Sequence, residues 1–256
     1  MAERRLFGAI LKSFAGGEID EAEAGARILE MFYAGQEHFM LDLEREQRLG
    51  FPEVVYAEGK QMGDLLDIVG RLIETKGKVY IASLGPEAEA RLQESYHSHG
   101  VRTGGRAMVI GKGDGQPVVQ GVAGVITAGT SDVPYAQECV LLLEELGVRV
   151  ITYFDAGVAG IHRPVMSLAK MQEASVLIVF AGMEGALPTV LASLTDLPVV
   201  AVPTPVGYGY GGQGEAALKT MLQSCSPGVT VVNIGNSVGA AAAAVRILRV
   251  VNKGRG

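Results

Sequence analysis

The sequence has no tryptophan and only two cysteines in 256 residues. Cys139 and Cys225 lie far apart, so they make neither a disulfide framework nor a metal-binding cluster, and they fit a reducing compartment. No apolar run reaches about 18 residues without glycine, proline or charge, so no transmembrane helix is predicted. The N-terminal segment turns acidic too early for a signal peptide. We therefore expect a cytoplasmic protein without a membrane partner.

Runs of basic residues are also missing. The chain carries 22 Lys and Arg against 28 Asp and Glu, a net charge of -6. This balance argues against nucleic acid as a partner, whereas small anionic ligands depend on local loops and stay open. Hydrophobic residues make up 48% of the chain, enough for one large or two small domains with a real core.

The N-terminal half is charge-rich and mixes two periodicities. Helical spacing is clear at residues 18–32 and 60–77, and strand candidates lie in FPEVVYAEG and KVYIASLG, followed by a helix in PEAEARLQESYHSHG. The turn-rich segment GKGDGQPV, residues 111–118, predicts a domain boundary. We therefore expect a smaller N-terminal helical and α/β domain at residues 1–118 and a catalytic domain at residues 119–256.

The C-terminal half alternates buried strands with helices. The strand candidates are continuous Val- and Ile-rich runs, GVAGVITAG, VRVITYFDAG, SVLIVFAG, LPVVAVPT and VTVVNIG, and a helical stretch follows each. Strict alternation predicts a parallel sheet with helices on both faces, a three-layer, doubly wound, flavodoxin-like α/β fold. Ligands bind at the carboxyl ends of the strands in such sheets, and here all five ends are rich in glycine and small polar residues.

Each of these loops has a functional and a structural interpretation. Thr130, Ser131 or Asp132, after Gly129, can cap the next helix or hold a phosphate or ribose. Arg163 can grip a phosphate and His162 can move protons, or the pair can simply begin a helix.

The third loop contains Gly182, Met183, Glu184 and Gly185. Glu184 can offset the dipole of the following helix, act as an acid or base, or bind magnesium. Residues 207–214 contain G-x-G-x-x-G, but not at the first strand–helix turn, so a lid or a close backbone approach explains this loop better than dinucleotide binding.

Both cysteines fall on apolar helical stripes. Cys139 recurs with Ala136 and Leu143, which predicts a core residue. Cys225 recurs with Leu218 and Met221, so periodicity alone predicts a buried thiol closing a helix. A helix carboxyl terminus also disfavours a thiolate.

Taken together, the loops resemble two related families. The order SDVP, HRP, AGMEGALP, a glycine-rich loop and a final NIG…GAA helix is similar to class I aminoimidazole ribonucleotide carboxylases, the PurE type. Residues 50–250 are more similar to the LarB family, and PurE proteins lack both the N-terminal segment and a cysteine matching Cys225. The LarB-like motifs are GFPEVVYAEGK, GTSDVPYAQE, DAGVAGIHRP, GMEGALPTVLA, PTPVGYGYGG and LQSCSPGVTVVNIGN.

The LarB resemblance implies a specific reaction. Enzymes of this family carboxylate nicotinic acid adenine dinucleotide at ring carbon 5 with carbon dioxide and cleave the phosphoanhydride. The products are AMP and pyridinium-3,5-biscarboxylic acid mononucleotide, for the nickel-pincer cofactor. The resemblance implies help from Mg2+ and no tightly bound organic cofactor.

The resemblance also implies residue roles. Cys225 adds to the pyridinium ring, and His162 or Glu184 serves as the base. Asp132 binds the ribose or the metal, with Glu184 as the other metal candidate. The remaining expected substrate contacts are Thr130, Ser131 and Arg163 at the phosphates, together with Gly129, Gly182, Met183, Gly185, Gly209 and Asn236.

The expected position of Cys225 poses a geometric problem. A helix of about ten residues spans roughly 15 Å, so a thiol at its far end lies too far from His162 of the same chain. This predicts a homo-oligomer with composite sites, and PurE-like domains assemble as octamers, which is the assembly we expect.

The chain also departs from the family pattern, and alternatives stay open. Gly235 stands where LarB sequences usually carry an aspartate, so this loop lacks a carboxylate. The first alternative is a PurE-type carboxylase or mutase of aminoimidazole ribonucleotide, for which Cys225 is dispensable. The second is a non-catalytic protein that binds nucleotides.

Overall fold

The computed structural model describes residues 7–33, 35–36, 39–40, 45–111 and 119–253. The helices are α1 Gly8–Ala15, α2 Glu21–Tyr33, α3 Arg45–Leu49, α4 Met62–Lys76, α5 Pro86–Tyr96, α6 Val133–Glu145, α7 His162–Lys170, α8 Leu187–Ala192, α9 Glu215–Leu222 and α10 Ser237–Lys253. The strands are β1 Gly35–Gln36, β2 Phe39–Met40, β3 Val54–Tyr56, β4 Lys78–Ala82, β5 Val101–Gly104, β6 Ala107–Gly111, β7 Val122–Thr127, β8 Arg149–Tyr153, β9 Val176–Ala181, β10 Val199–Pro203 and β11 Val229–Val231.

The predicted doubly wound sheet is confirmed. Five parallel strands run in the order β11-β10-β9-β7-β8. The central strands are buried along their whole length because helices cover both faces, α6 and α10 on one and α7, α8 and α9 on the other. The strand order reverses between β7 and β9, so the loops after these two strands splay apart and leave a crevice.

A second sheet of four strands lies in the N-terminal half, in the order β3-β4-β6-β5. Strands β3 and β4 lie in the two predicted strand segments, pair in parallel and precede α4 and α5. The antiparallel hairpin β5–β6 is absent from the sequence-based prediction. Its first strand, VRTG, is polar and has no fully buried residue, so it carries no hydrophobic pattern that would mark it.

The two faces of this second sheet pack on different partners. Val79, Ile81 and Met108 point toward α4 and α5. Ala107 and Val109, on the opposite face, pack on Leu141 of α6. Helix α6 is therefore covered by a sheet on each side. The predicted boundary segment, residues 112–118, lies outside the described residues, so the boundary stays a prediction.

The two cysteines differ in burial. Cys139 is fully buried in the core, as predicted. The prediction that Cys225 is a buried residue closing a helix is wrong, because α9 ends at Leu222 and Cys225 lies exposed in the following loop. The buried stripe of α9 consists of Ala217 and Met221 instead. In the described part of the chain, no helix has the length and hydropathy needed to cross a bilayer.

Candidate active site

A cavity of about 470 Å³ opens at the carboxyl ends of β7, β8, β9 and β10, where the strand order reverses. This volume is within the range of small-molecule sites. The lining residues, called the pocket below, are Ala128, Gly129, Thr130, Ser131, Asp132, Asp155, Gly157, Val158, Ala159, Ala181, Gly182, Met183, Glu184, Ala186, Leu187, Val206, Gly207 and Tyr208.

Asp132 lies at the floor of the pocket and is only 3% exposed. Its Oδ1 accepts a hydrogen bond from the Thr204 hydroxyl at 2.5 Å, and its Oδ2 accepts one from the Gly129 amide at 2.8 Å. Desolvation outweighs these bonds and raises the pKa of the carboxyl above its ordinary value. Asp132 therefore ties the first loop to the end of β10, while Thr130 and Ser131 stay exposed on the pocket wall.

Asp155 follows β8 and holds a left-handed backbone conformation, with φ of 64°. Its Oδ2 lies 3.2 Å from Nη1 of Arg163. Arg163 and the exposed His162 begin α7 and do not line the pocket. Arg163, the predicted phosphate-binding residue of this loop, stands at the rim through its ion pair with the lining residue Asp155.

The loop after β9 contributes Gly182, Met183 and Glu184 to the pocket wall. Met183 also has a positive φ, 51°, and its amide donates to the carbonyl of Val206 at 2.8 Å. Strained non-glycine residues concentrate at functional sites, and two such residues, Asp155 and Met183, line this one cavity. Gly185 is buried behind the loop and does not line the pocket.

Three predicted site residues lie elsewhere in the chain. Gly209 is in the exposed loop beyond Tyr208. Asn236 accepts a hydrogen bond from the Gly239 amide at 2.7 Å and so caps the first turn of α10. Cys225 lies just before β11, at the edge where the parallel strands begin. The pocket lies at the opposite end of the strands, where their carboxyl termini meet.

The charge of the pocket is its most informative property. Asp132, Asp155 and Glu184 line it, and no lysine, arginine or histidine is among its described lining residues. Carboxylates without a lining cation favour a positively charged group on the ligand, such as a cationic ring or a metal ion.

The carboxylates differ in their capacity to bind a metal. Across the described ranges, no three His, Cys, Asp or Glu side chains converge as a metal-binding group. Asp132 already accepts two hydrogen bonds from the protein, whereas Glu184 is exposed on the pocket wall. Mg2+ commonly binds one or two carboxylates, substrate phosphates and water, and Glu184 fits that arrangement better than Asp132.

Sequence reasoning missed several residues that organise this pocket. Asp155 stands in the predicted second loop, but the sequence gives no sign of its positive φ. Thr204 bonds Asp132 across 72 positions of chain. Tyr208, 82% exposed, forms one lip of the pocket. The position of Asp155 at a strand end was the one available signal.

Two protein-family models match the chain. The AIR carboxylase model covers residues 122–254, and the LarB/PurE-like N-terminal domain model covers residues 33–112. An uncharacterized protein of Methanocaldococcus jannaschii is 38% identical over 253 residues, 95% of this chain and 97% of the relative.

Relatives with a stated activity match only part of the chain. The N5-carboxyaminoimidazole ribonucleotide mutase of the same organism is 36% identical over 114 residues, 43% of this chain and 67% of the relative. The corresponding mutase of Aquifex aeolicus is 33% identical over 135 residues, 50% of this chain and 77% of the relative.

Proposed function

Because the chain belongs to the LarB family, whose members join a LarB/PurE-like N-terminal domain to a carboxylase-related domain, we propose that it carboxylates nicotinic acid adenine dinucleotide at ring carbon 5 and cleaves the phosphoanhydride, releasing AMP. The product of this reaction is pyridinium-3,5-biscarboxylic acid mononucleotide, destined for the nickel-pincer cofactor.

The observation that carries this proposal is the acidic pocket. A pyridinium ring is cationic, and the acidic lining favours it electrostatically, chiefly through the exposed Glu184. Asp155 contributes less because it is paired with Arg163, and Asp132 contributes less because burial raises its pKa. Aminoimidazole ribonucleotide, the substrate of the PurE-type alternative, has no permanent positive charge on its ring. For the dinucleotide, the phosphates would lie at the rim, where Arg163 stands.

The chemistry requires a nucleophile that reverses the polarity of the ring. Carbon 5 of a pyridinium is electron-poor and does not attack carbon dioxide. When the Cys225 thiolate adds to carbon 4 or carbon 6, the ring becomes an enamine, and carbon 5 can form the new carbon–carbon bond. Loss of the carbon 5 proton to a base and expulsion of the thiolate then restore the aromatic ring.

Two residues are candidates for the base, His162 at the start of α7 and Glu184 on the pocket wall. Glu184 is also the residue that would hold Mg2+ together with phosphate oxygens. When bound there, the metal would offset phosphate charge during cleavage of the phosphoanhydride. Glu184→Gln and His162→Asn separate these roles, because only loss of the metal ligand raises the Mg2+ concentration needed for half-maximal activity.

We propose that Cys225 acts in the pocket of a neighbouring subunit. Within one chain, the thiol and the pocket occupy opposite edges of the sheet. The exposure of Cys225 supports this proposal, because an exposed thiol is free to enter another subunit's site. The bound pyridinium cation would then stabilise the thiolate electrostatically.

The test is direct. The protein is incubated with nicotinic acid adenine dinucleotide, isotopically labelled bicarbonate and Mg2+, and AMP release and product mass are followed. We expect wild type to release AMP and its product to carry one labelled carboxyl group. The rate of AMP release should fall at least about 100-fold in Cys225→Ala. The adjacent Ser226→Ala should keep a rate near that of wild type. If wild type binds the dinucleotide without turnover, the protein is a nucleotide-binding protein and the proposal fails. Full activity of Cys225→Ala would reject the covalent mechanism.

A further inference from the structure

The turn between β5 and β6 touches the first turn of α6, the helix that follows the pocket residues 129–132. Gly105, in this turn, has φ of +59°, and a Cβ at this position would lie 2.0 Å from the carbonyl oxygen of Pro134. Only glycine allows this contact, so the backbones of the hairpin and the helix meet directly.

Arg106 extends this contact with its side chain. Its guanidinium carbon lies 4.9 Å from the centre of the Tyr135 ring, a cation–π distance, and its Nη2 lies 3.2 Å from Oε2 of Glu58. The Tyr135 ring borders Gly235, whose Cβ would be 3.5 Å from Tyr135 Cε1. The Tyr135 carbonyl accepts a hydrogen bond from the Ser237 hydroxyl at 2.9 Å. Arg106 therefore packs against Tyr135, the residue that connects α6 to the loop after β11.

Glu138, one turn further along α6, is 1% exposed and faces the same sheet. The Ser83 amide donates to it, the charge of Arg106 acts on it, and its Oε2 has no hydrogen-bond partner among the described residues. Ser83 itself is a non-glycine residue with φ of 56°. A buried, incompletely satisfied acid beside a strained residue is costly, and packing alone gives no reason to keep it.

The same hairpin holds the other end of α6 through Arg102. Its Nη2 lies 3.0 Å from Oε2 of Glu145, and Lys78 lies 2.5 Å from the same oxygen. The N-terminal sheet thus contacts α6 at two places, through Arg106 near the pocket and through Arg102 at the far end of the helix. Arg102 is therefore a matched control for Arg106, on the same hairpin and against the same helix.

We propose that Arg106 and Glu138 are positioning residues, through which the N-terminal half holds residues 129–135 in the geometry that the pocket needs for its ligand. Asp132, at the floor of the pocket, stands only three positions before Tyr135 in the chain. A shift of the first turn of α6 therefore displaces Asp132. The proposal concerns the pocket and does not depend on which substrate it takes.

Hydrogen exchange read by mass spectrometry tests the proposal in the full-length chain. Arg106→Ala is expected to speed exchange of the amides of residues 129–135 by at least about tenfold. Arg106→Lys should keep at least half of the protection, because an ammonium group stays over the Tyr135 ring. Arg102→Ala should change exchange near Glu145 and leave residues 129–135 as in wild type. Wild-type exchange at residues 129–135 in Arg106→Ala, or the same change there in Arg102→Ala, overturns the proposal.

Steady-state kinetics provides a second test, because a residue that only stabilises the fold would not change KM selectively. With nicotinic acid adenine dinucleotide as substrate, Arg106→Ala and Glu138→Gln should each raise KM about tenfold and keep kcat within about twofold, while Arg102→Ala keeps both. An unchanged KM in both pocket-side variants contradicts the proposal. This arm rests on the proposed function; if wild type shows no turnover, that function fails and the exchange result still decides the positioning role.

Discussion

At the scale of single residues, the two cysteines predict opposite reactivities. Burial raises the pKa of the Cys139 thiol, whereas Cys225 is exposed. We expect a chromogenic disulfide reagent to modify one thiol per native chain rapidly and the second only after denaturation. Cys225→Ser should abolish the rapid reaction, and two equally rapid thiols in wild type would contradict the described burial of Cys139.

Glu138 predicts a pH dependence of stability. Desolvation raises its pKa to about 7 in the folded protein, although the charge of Arg106 and the Ser83 amide act in the opposite direction. The unfolded chain ionises this group from about pH 4.5, so its contribution to stability is present below that pH and is lost as the pH rises toward 7. The loss has a ceiling of about 3 kcal/mol.

Glu138→Gln removes this ionisation. We therefore expect its free energy of unfolding, measured with urea at pH 5, 6, 7 and 8, to fall less between pH 5 and 7 than that of wild type. Glu144→Gln, an exposed change on the same helix, is the control and should follow wild type. Parallel curves for Glu138→Gln and wild type would show that Glu138 does not titrate in this range.

At the scale of elements, the loop between β9 and α8 depends on a close approach to α9. Gly185 has φ of +67°, and a Cβ there would lie 2.7 Å from Cα of Ala217. Gly185→Ala should therefore lower the free energy of unfolding by about 3 kcal/mol, from backbone strain and overpacking together. Urea denaturation measures the loss.

Gly59→Ala isolates the strain component of that loss. Gly59 has φ of +79°, but a Cβ there would meet nothing within 4 Å. Its replacement should cost only about 1 kcal/mol. Equal losses for the two variants would mean that the contact with α9 contributes nothing. Gly185 thus has a packing role behind the pocket.

At the scale of the whole molecule, the separation of Cys225 from the pocket predicts complementation between inactive chains. Cys225→Ala, and Glu184→Gln assayed at a Mg2+ concentration too low to support its own activity, should regain up to roughly a quarter of wild-type activity when co-assembled, because a site shared between subunits can then receive both native residues. The measurement is AMP release by the mixed oligomer, with each variant assembled separately as control. No recovery in a mixed assembly would place both residues in one chain's site.

The alternation of strands and helices, the burial of Cys139 and the loops that form the pocket can all be predicted from local patterns in the chain. These follow from local hydrophobic period and from the rule that parallel strands present their carboxyl ends together. The hydrophobic period and the order of strands and helices depend on residues that are close in sequence, so they can be recognised without the three-dimensional structure.

The β5–β6 hairpin, the exposure of Cys225 and the pairing of Asp155 with Arg163 arise from tertiary contacts and could not be predicted in this way. The polar strand VRTG becomes a strand because β6 offers it a partner, and α9 ends before Cys225 although the apolar spacing continues. The bond between Thr204 and Asp132 joins distant positions. Such features depend on which segments meet in space, and local patterns do not encode that.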